Sequence, residues 1–420
     1  MDKFVIKGPS KIKGDIRISG SKNAALPILA ATLLFSKPVE LKNVPNVRDI
    51  QTMLNLLRFF KKKIKISKNK NTIKIYNSKK IRTYLPYSIS KTMRGSIICL
   101  GGLVSKYGKA ISAYPGGCAI GTRPINYHLD ALKKLGMKYE IKKGYIYAKS
   151  KGKLKGTKIK FSNISVGATE NSIIAACLAN GKTILKNCAI EPEIKDLINF
   201  LKSSGAKIKW IGRRTIEIEG VENLNSTTYS IMSDRIETGT FCVASSLTNG
   251  DLIIKNVNPK IIQTELKLLI KLGEKIKVSE NEIHIKGPKI IKSLNNIETK
   301  EYPNFPTDLQ AQFMVLMCKA KGRSTITESI FENRFMHVAE LRRLGAKIKI
   351  KENKAIIEGN TDFQGAELMS SDLRASVALV LAAMVAKGKS IINRIYHLDR
   401  GYEKIEKKLK KIGVNIKRVS

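Results

Sequence analysis

The sequence repeats one pattern six times. In each copy the end of a helix is followed by a small or basic residue and a short basic strand. The glycines of the last five copies are spaced by 69, 68, 72 and 68 residues. A period this constant predicts a supersecondary unit of about 70 residues repeated along the chain. The six copies are LRFFKKKIKI (57–66), LKKLGMKYEI (132–141), LKSSGAKIKW (201–210), LIKLGEKIKV (269–278), LRRLGAKIKI (341–350) and LKKIGVNIKR (409–418).

A second marker supports the same period. A glycine followed by an alternating strand recurs as GKAISA, GKTILKN, GDLIIKN, GRSTITE and GKSIINR. Each unit therefore contains two helices and several strands, which predicts an α/β or α+β module.

One helix in each unit is apolar on almost every side after its first turn. Such a helix is surrounded by protein, whereas the second helix of each unit, as in LKKLG, is amphipathic and lies outside. Six buried helices indicate two groups of three, each wrapped by sheets, and hence two similar domains. The apolar helices are predicted from Ser21, Lys91, Ala168, Asp234, Thr307 and Asp372.

The charge is strongly positive, with 77 Lys+Arg against 34 Asp+Glu and a net charge of +43. A basic chain attracts nucleic acid, so a nucleic-acid-binding protein is one alternative. Here the lysines follow nearly every segment and no aromatic interleaving accompanies them. That distribution favours solvated faces that gather small anions, and no nucleic-acid partner is expected.

Other protein classes are disfavoured by composition. The apolar fraction of 43% argues against a disordered chain and suffices for two or three cores. No secretory signal is evident, and the apolar run Ala375–Ala386 is too short to span a bilayer, so a soluble cytoplasmic protein is expected. The six cysteines lack a CxxC pair and the four histidines lack HExxH spacing, so neither a metal nor a cofactor is expected. Cys99, Cys177, Cys242 and Cys318 are interpreted as small buried hydrophobes.

Cations fall in or beside the first turns of the buried helices, at Lys22, Arg94, Arg235 and Arg374. A helix N-terminus is already positive, so cations there are explained if an anion binds at the same place. The alternative is chance, since basic residues are abundant throughout. The set predicts a site for phosphates and carboxylates.

Two further residues carry chemical hypotheses. Asp308, in FPTDLQAQF, is either the N-cap of its helix or a general base held among cations. Cys118, in YPGGCAIGTRP, is framed by glycines and lies close to Arg123, which predicts a depressed pKa and a role as nucleophile or acid. An inert exposed thiol is the alternative.

Several long motifs, in order, resemble the UDP-N-acetylglucosamine 1-carboxyvinyltransferase family of enolpyruvyl transferases. This resemblance implies an α/β fold, a two-domain inside-out α/β barrel built from six similar repeats. One domain would span residues 22–232 and carry the Cys118 loop; residues 1–21 plus 233–420 would form the other. The motifs are GSKNAALPILAATLL, PGGCAIGTRP, SVGATE, EPEIKDL, DRIETGTF, FPTDLQAQF, FENRFMHV, DLRASVALVLA and RIYHLDRGYEKIE.

The resemblance also implies the reaction: enolpyruvate passes from phosphoenolpyruvate to the 3-hydroxyl of UDP-N-acetylglucosamine through a tetrahedral ketal, releasing phosphate for peptidoglycan synthesis. Asp308 would take the hydroxyl proton. Cys118, the residue that fosfomycin alkylates in this family, would add covalently to phosphoenolpyruvate. Phosphoenolpyruvate would be held by Lys22, Arg123 and Arg400, with Asn23, Arg94 and Arg374 close by.

The nucleotide would bind a second group of residues, and others would organise the cleft. Two departures from the family pattern stand out, Asn126 in place of an acid and Asn163 in place of a base. Their charges cancel, so binding is expected to survive. The sister enzyme acting on shikimate 3-phosphate is the competing assignment; it lacks the PGGC loop. No oligomer is predicted. The nucleotide group is Arg123, Pro124, Ile125, Ser165, Val166, Gly167 and Ile330; the cleft group is Glu191, Asp234, Arg235, Glu332 and Arg334; Thr307 is a further substrate-binding residue.

Overall fold

The computed structural model describes residues 2–78, 80–114, 121 and 124–420. The chain folds into two compact units. The 20–232 unit contains the described residues of that range other than Gly121. The 233–420 unit consists of residues 233–420, the N-terminal segment that ends at Ser19, and Gly121. Cys118 and Arg123 lie outside the described residues.

The 20–232 unit contains three four-stranded sheets. Their strands are Val39–Lys42, Lys63–Ile66, Ile73–Tyr76 and Thr227–Ser230; Tyr84–Leu85, Lys109–Ala113, Met137–Lys142 and Tyr145–Ser150; and Lys158–Lys160, Lys182–Lys186, Lys207–Gly212 and Thr215–Glu219.

The 233–420 unit contains three more sheets of the same size. Their strands are Lys13–Arg17, Asp251–Lys255, Lys275–Val278 and Glu282–Lys286; Ile297–Glu298, Arg323–Thr327, Lys347–Lys351 and Lys354–Glu358; and Lys3–Gly8, Glu367–Met369, Gly388–Asn393 and Asn415–Val419.

Every sheet has the same pattern of strand directions: one edge strand runs parallel to its neighbour, and the other neighbouring strands pair antiparallel. The two N-terminal strands complete two different sheets of the 233–420 unit. Phe4 pairs with Ile392 in one sheet, and Gly14 pairs with Leu252 in another. The α/β class and the sixfold repeat are therefore confirmed. No hydrogen-bonded pair among the described strands joins one sheet to another.

Each repeat contributes one helix to the interior. In Arg235–Leu247 every residue is buried, and Leu373–Val385 is buried from its second residue onward. The approach between such helices is close, because a Cβ on Gly101 would collide with the Asn171 side chain. The six predicted buried helices are present, but the second begins at Cys99 and the fifth at Gln310, each after a 3-10 turn, and the third begins at Val166, two residues earlier than expected. They are Lys22–Ala31, Cys99–Tyr107, Val166–Ala176, Arg235–Leu247, Gln310–Lys319 and Leu373–Val385.

The remaining helices bury one face only. In Arg48–Phe59, for example, Ile50, Met53 and Leu57 are buried and Arg58 is exposed. No helix in the described part of the chain is long and apolar enough to cross a membrane. The outer helices are Arg48–Phe59, Asn126–Lys134, Pro192–Ser203, Gln263–Leu272, Val338–Arg343 and Ile405–Lys411, with the short Tyr87–Ser90; the 3-10 turns are Thr32–Leu34, Arg94–Ile98, Pro259–Ile262, Thr307–Leu309 and Ile395–Arg400.

Each unit has its own hydrophobic core of mostly Ile, Leu, Val and Ala side chains. The four cysteines interpreted as buried hydrophobes are buried in these cores, and Cys188 is buried as well. Burial raises the pKa of Cys99 and of Cys177 to about 12. These thiols pack as apolar groups and are not reactive near neutral pH.

Candidate active site

The structure places the predicted cations at the starts of the interior helices. Lys22 and Arg235 are the first residues of their helices, and Arg374 is the second residue of Leu373–Val385. Arg94 begins the 3-10 turn that leads into Cys99–Tyr107. The positions predicted from the sequence are therefore confirmed.

Side chains already cap several of these helices. Asp234 Oδ1 accepts hydrogen bonds from the amides of Ile236 and Glu237 at 2.8 and 3.0 Å. Asp372 caps Arg374 and Ala375 in the same way, at 2.8 and 3.1 Å. These caps satisfy amides that a bound anion was expected to use. At these two helices, attraction for an anion depends on the basic side chains more than on the helix ends.

Asp308 lies between two buried guanidinium groups. Its Oδ1 is 2.9 Å from Arg334 Nη2, and its Oδ2 is 2.6 Å from Arg374 Nη2. The arginine side chains are 5% and 7% exposed, and that of Asp308 is 27% exposed. Leu309 occupies the N-cap position of the following helix, which has no side-chain cap. The N-cap interpretation of Asp308 is therefore wrong, and the carboxylate is held among cations.

Arg374 is kept charged by its surroundings. Burial works against its charge, but the Asp308 carboxylate and Tyr402 outweigh burial and raise the pKa of Arg374. The guanidinium lies 5.9 Å from the centre of the Tyr402 ring, whose hydroxyl is 2.8 Å from Thr240 Oγ1. Gln312 Nε2 donates to the Asp308 backbone carbonyl at 3.0 Å. The Asp308 carboxylate thus lies against two charged guanidiniums, and the Asp234 carboxylate also acts on Arg374.

Glu328 forms hydrogen bonds with Thr307 and Ile330, two predicted ligand-binding residues that are far apart in the sequence. Its Oε2 accepts a hydrogen bond from Thr307 Oγ1 at 2.8 Å, and its Oε1 accepts one from the amide of Ile330 at 2.9 Å. The carboxylate is buried and also binds Thr299 at 2.8 Å. Sequence reasoning missed Glu328, because nothing local distinguishes it from other acids near FENRF.

Arg400 is the last residue of the 3-10 turn Ile395–Arg400, which hydrogen bonds from Arg418 hold in place. Arg418 Nη2 is 2.6 Å from Asp399 Oδ1, and Arg418 Nη1 is 3.1 Å from Asp399 Oδ2. Arg418 also pairs with Glu406, at the start of the next helix, at 3.5 Å. Because Asp399 precedes Arg400, the Arg418–Asp399 ion pair fixes the backbone that carries Arg400, a predicted ligand-binding residue. Sequence analysis did not identify Arg418.

In the 20–232 unit, Lys22 Nζ lies 3.4 Å from Asp49 Oδ2. The Lys22 and Asp49 side chains are only 12% and 6% exposed, so this ion pair is well shielded from water. Asn23 follows in the same helix and is half-buried. Asp49, in the first turn of Arg48–Phe59, is a second acid that sequence analysis missed.

Among the predicted nucleotide residues described in this unit, Gly167 lies close to His128. Ser165 caps Val166–Ala176 by accepting a hydrogen bond from the Ala168 amide at 3.3 Å. A Cβ on Gly167 would lie 3.1 Å from the His128 ring, and the helix carrying His128 begins directly after Ile125. Pro124 precedes Ile125, whose own side chain is buried in the core. Of the two departures, Asn126 begins this helix and Asn163 Nδ2 donates to Tyr127 at 2.6 Å.

The remaining predicted residues divide as follows. Arg235 lies 3.9 Å from Glu265 and over the ring of Tyr302, whereas Glu332 lies in the turn before Arg334. Glu191 precedes the helix Pro192–Ser203. Burial raises the pKa of Glu170, and the nearby acids Glu193 and Glu191 raise it further. The structure thus brings Asp308, Arg334 and Arg374 into contact. It gives no information on Cys118 and Arg123, which lie outside the described residues.

The fold matches that of solved enolpyruvyl transferases. The enolpyruvyl transferase NikO from Streptomyces tendae aligns over 100% of this chain and 99% of its own, with a TM-score of 0.89 and 24% sequence identity. The EPSP synthase of Acinetobacter baumannii covers 100% of both chains, with a TM-score of 0.77 and 18% identity. These comparisons establish the class of fold.

Sequence comparison is more specific. Residues 6–409 match the family described as EPSP synthase (3-phosphoshikimate 1-carboxyvinyltransferase). The UDP-N-acetylglucosamine 1-carboxyvinyltransferase of Pelagibacter ubique is 60% identical over 420 residues and 100% of both chains, and that of Endomicrobium trichonymphae is 48% identical over 99% of both. The chain belongs to the UDP-N-acetylglucosamine 1-carboxyvinyltransferase family, within the broader EPSP synthase family.

Proposed function

We propose that this protein transfers enolpyruvate from phosphoenolpyruvate to the 3-hydroxyl of UDP-N-acetylglucosamine and releases phosphate, the first committed step of peptidoglycan synthesis. Full-length relatives at 60% and 48% identity carry that activity in their names. The observation that carries the chemistry is Asp308, a carboxylate in contact with two buried guanidiniums. The proposed location is the cytoplasm.

Both substrates are anionic, so the first task of the site is to offset their mutual repulsion. Lys22, Arg123 and Arg400 are proposed to hold the phosphate and carboxylate of phosphoenolpyruvate, with Arg374 close by. Arg374 is buried and stays charged, and fixed charges in a poorly solvated site act more strongly than charges in water.

Asp308 is the proposed general base. It takes the proton of the sugar 3-hydroxyl as that oxygen bonds to C2 of phosphoenolpyruvate, and C3 gains a proton to form the tetrahedral ketal. Loss of a proton from C3 and of phosphate from C2 then gives the enolpyruvyl product. A base needs hydrogen-bond reach of its proton more than a shifted pKa, and the two arginines fix the carboxylate for that contact.

The proposed domains are residues 22–232 and residues 1–21 with 233–420, and the following residues belong to the first. Cys118 is proposed to add to phosphoenolpyruvate and to assist proton delivery and product release. Ser165, Val166 and Gly167 are proposed to contact the nucleotide. Their position at a helix start, against the helix that follows Ile125, supports a common binding surface.

The deciding experiment measures phosphate release from phosphoenolpyruvate with each of two acceptors. UDP-N-acetylglucosamine should support turnover, and shikimate 3-phosphate should not. The second acceptor is included because the broader family takes its description from that reaction. Turnover with shikimate 3-phosphate alone would overturn the proposal, as would the absence of phosphate release with both.

A further inference from the structure

One sheet of the 20–232 unit has an unusual outer face. In the sheet containing Lys109–Ala113, the side chains of Lys109, Lys149 and Lys138 lie directly opposite one another across three adjacent strands. All three are exposed, and none forms an ion pair within the described part of the chain. Like charges placed directly opposite destabilise a sheet, so this row has an energetic cost.

In other sheets, some basic residues lie directly opposite an acid. Lys207 faces Glu219 directly and binds it at 2.8 Å. Arg323 faces Glu358 and binds it at 3.2 Å. Directly opposed lysine pairs also occur elsewhere, as at Lys7 and Lys389 or Lys65 and Lys74, but here three lysines stand in one row. An external anion would supply the negative charge that this row lacks.

Aromatic rings lie beside the lysine row on the same face. Two residues along the strands, Tyr84, Ile111 and Tyr147 form the next row, in which Tyr84 and Tyr147 are 37% and 41% exposed. The rings of Tyr84 and Tyr145 stack with centroids 5.7 Å apart. Glu140 is the acid of this row, opposite Tyr147.

A groove of about 480 Å³ runs over this surface, and its lining includes Lys109, Ile111, Lys138, Tyr147 and Lys149. Three lysines and the exposed Tyr147 ring thus border one depression, and Tyr84 lies in the same row of side chains as Tyr147. A ligand that fits it carries closely spaced negative charges and flat, unpaired rings. Single-stranded nucleic acid has both, whereas a duplex hides the faces of its bases.

We propose that this face, termed the lysine–tyrosine face and formed by Lys109, Lys138, Lys149, Tyr84 and Tyr147, binds single-stranded nucleic acid. The lysines contact phosphates, and the tyrosine rings stack on bases. In the sequence, aromatic residues do not alternate with the lysines, but in the sheet strands from separate segments place tyrosines beside the lysine row. This binding is separate from enolpyruvyl transfer, since none of the five residues belongs to the proposed active site.

The test uses the full-length protein with fluorescein-labelled U12 RNA and dT12 DNA, measured by fluorescence anisotropy at several KCl concentrations. Replacing all three lysines of the face with Gln should weaken binding at least tenfold and reduce the slope of log affinity against log salt by about 2, since each phosphate contact contributes about 0.7. Tyr147→Leu should weaken binding at least fivefold, because base stacking on one ring is lost.

A matched control removes the same charge from another sheet, in the variant Lys347→Gln/Lys349→Gln/Lys351→Gln. It should bind U12 and dT12 within twofold of the wild-type protein. Thermal unfolding and phosphate release verify that each variant is folded; the lysine-row variant should unfold at a higher temperature, because repulsion is relieved. Binding of either probe through this face supports the proposal. Equal weakening by the control, wild-type affinity in Tyr147→Leu, or no binding at 100 mM KCl would overturn it.

Discussion

Arg418 binds both carboxylate oxygens of Asp399, at 2.6 and 3.1 Å, and Asp399 immediately precedes Arg400. The hydrogen bond to Asp399 is the main reason why the pKa of Arg418 is raised, so Arg418 stays charged over the working pH range. The segment it holds lies between Arg394 and Lys404, both of which have left-handed backbone conformations. A side chain outside the proposed site thus sets the position of one inside it.

Replacing Arg418 with Gln should release the Arg400 backbone and raise KM for phosphoenolpyruvate about tenfold, because charged hydrogen bonds contribute roughly 1.5–3 kcal/mol. KM for UDP-N-acetylglucosamine should change much less. Arg418→Lys keeps a charge but not the paired geometry, and should recover part of the loss. Lys417→Gln is the matched control. Equal increases in KM for both substrates would indicate a general loss of structure.

Asp308→Asn should reduce kcat by about 10²- to 10⁴-fold, the usual contribution of a general base, because the amide cannot accept the hydroxyl proton. KM for phosphoenolpyruvate should stay within a few-fold of wild type. Steady-state phosphate release provides the measurement, and the exposed Asp362→Asn is the control. A variant with unchanged kcat would exclude Asp308 as the base.

Glu274 should make stability depend on pH. Burial raises its pKa to about 8, with Ser246 offsetting only part of that effect, so the folded protein favours the protonated carboxyl. Stability is therefore fully present below the ordinary pKa near 4.5 and is lost as pH rises through about 8, by about 1.4 kcal/mol per pH unit at most. Glu274→Gln should remove this decline.

The measurement for Glu274 is urea unfolding at pH 5, 7 and 9. The difference in free energy of unfolding between Glu274→Gln and wild type should grow with pH in favour of the variant. Glu280→Gln, an exposed substitution in the same repeat, controls for net charge. A constant difference across the three pH values contradicts the prediction.

Fosfomycin should inactivate the enzyme by alkylating Cys118, and UDP-N-acetylglucosamine should protect it. Burial raises the pKa of Cys99, Cys177, Cys188 and Cys318 to about 12, so these thiols should not react. Intact-mass spectrometry should show one adduct per chain, and none in Cys118→Ala. Adducts on a buried cysteine, or an enzyme that is indifferent to the drug, would contradict this assignment.

The variant Asn126→Asp/Asn163→Lys should bind UDP-N-acetylglucosamine within about fivefold of the natural protein, because one added acid and one added base leave the local charge unchanged and exposed pairs contribute little. The Asn163 hydrogen bond to Tyr127 shows that this departure has its own partner. Calorimetric titration compares the two proteins. Low-micromolar or tighter affinity in the variant, with none in the natural chain, would refute the expectation.

Much of the fold could be predicted because its signals are local. The apolar helices and the basic strands each depend on neighbouring residues, the glycine period shows that the same local pattern recurs, and the buried cysteines follow from the apolar segments that contain them. At the site, the sequence located Lys22, Arg94, Arg235 and Arg374 at helix starts. It left Asp308 undecided, because a cap and a cation-bound carboxylate look alike until their partners are known.

The sequence by itself determined the repeat, the α/β class and the identity of the charged residues. Only the tertiary structure decided which of them meet: Arg334 and Arg374 lie 26 and 66 residues from Asp308, and the three lysines of the lysine–tyrosine face come from three separate strands. Helix and strand periodicity is encoded over a few residues, whereas partners distant in sequence are selected by strand register and by the packing of whole elements.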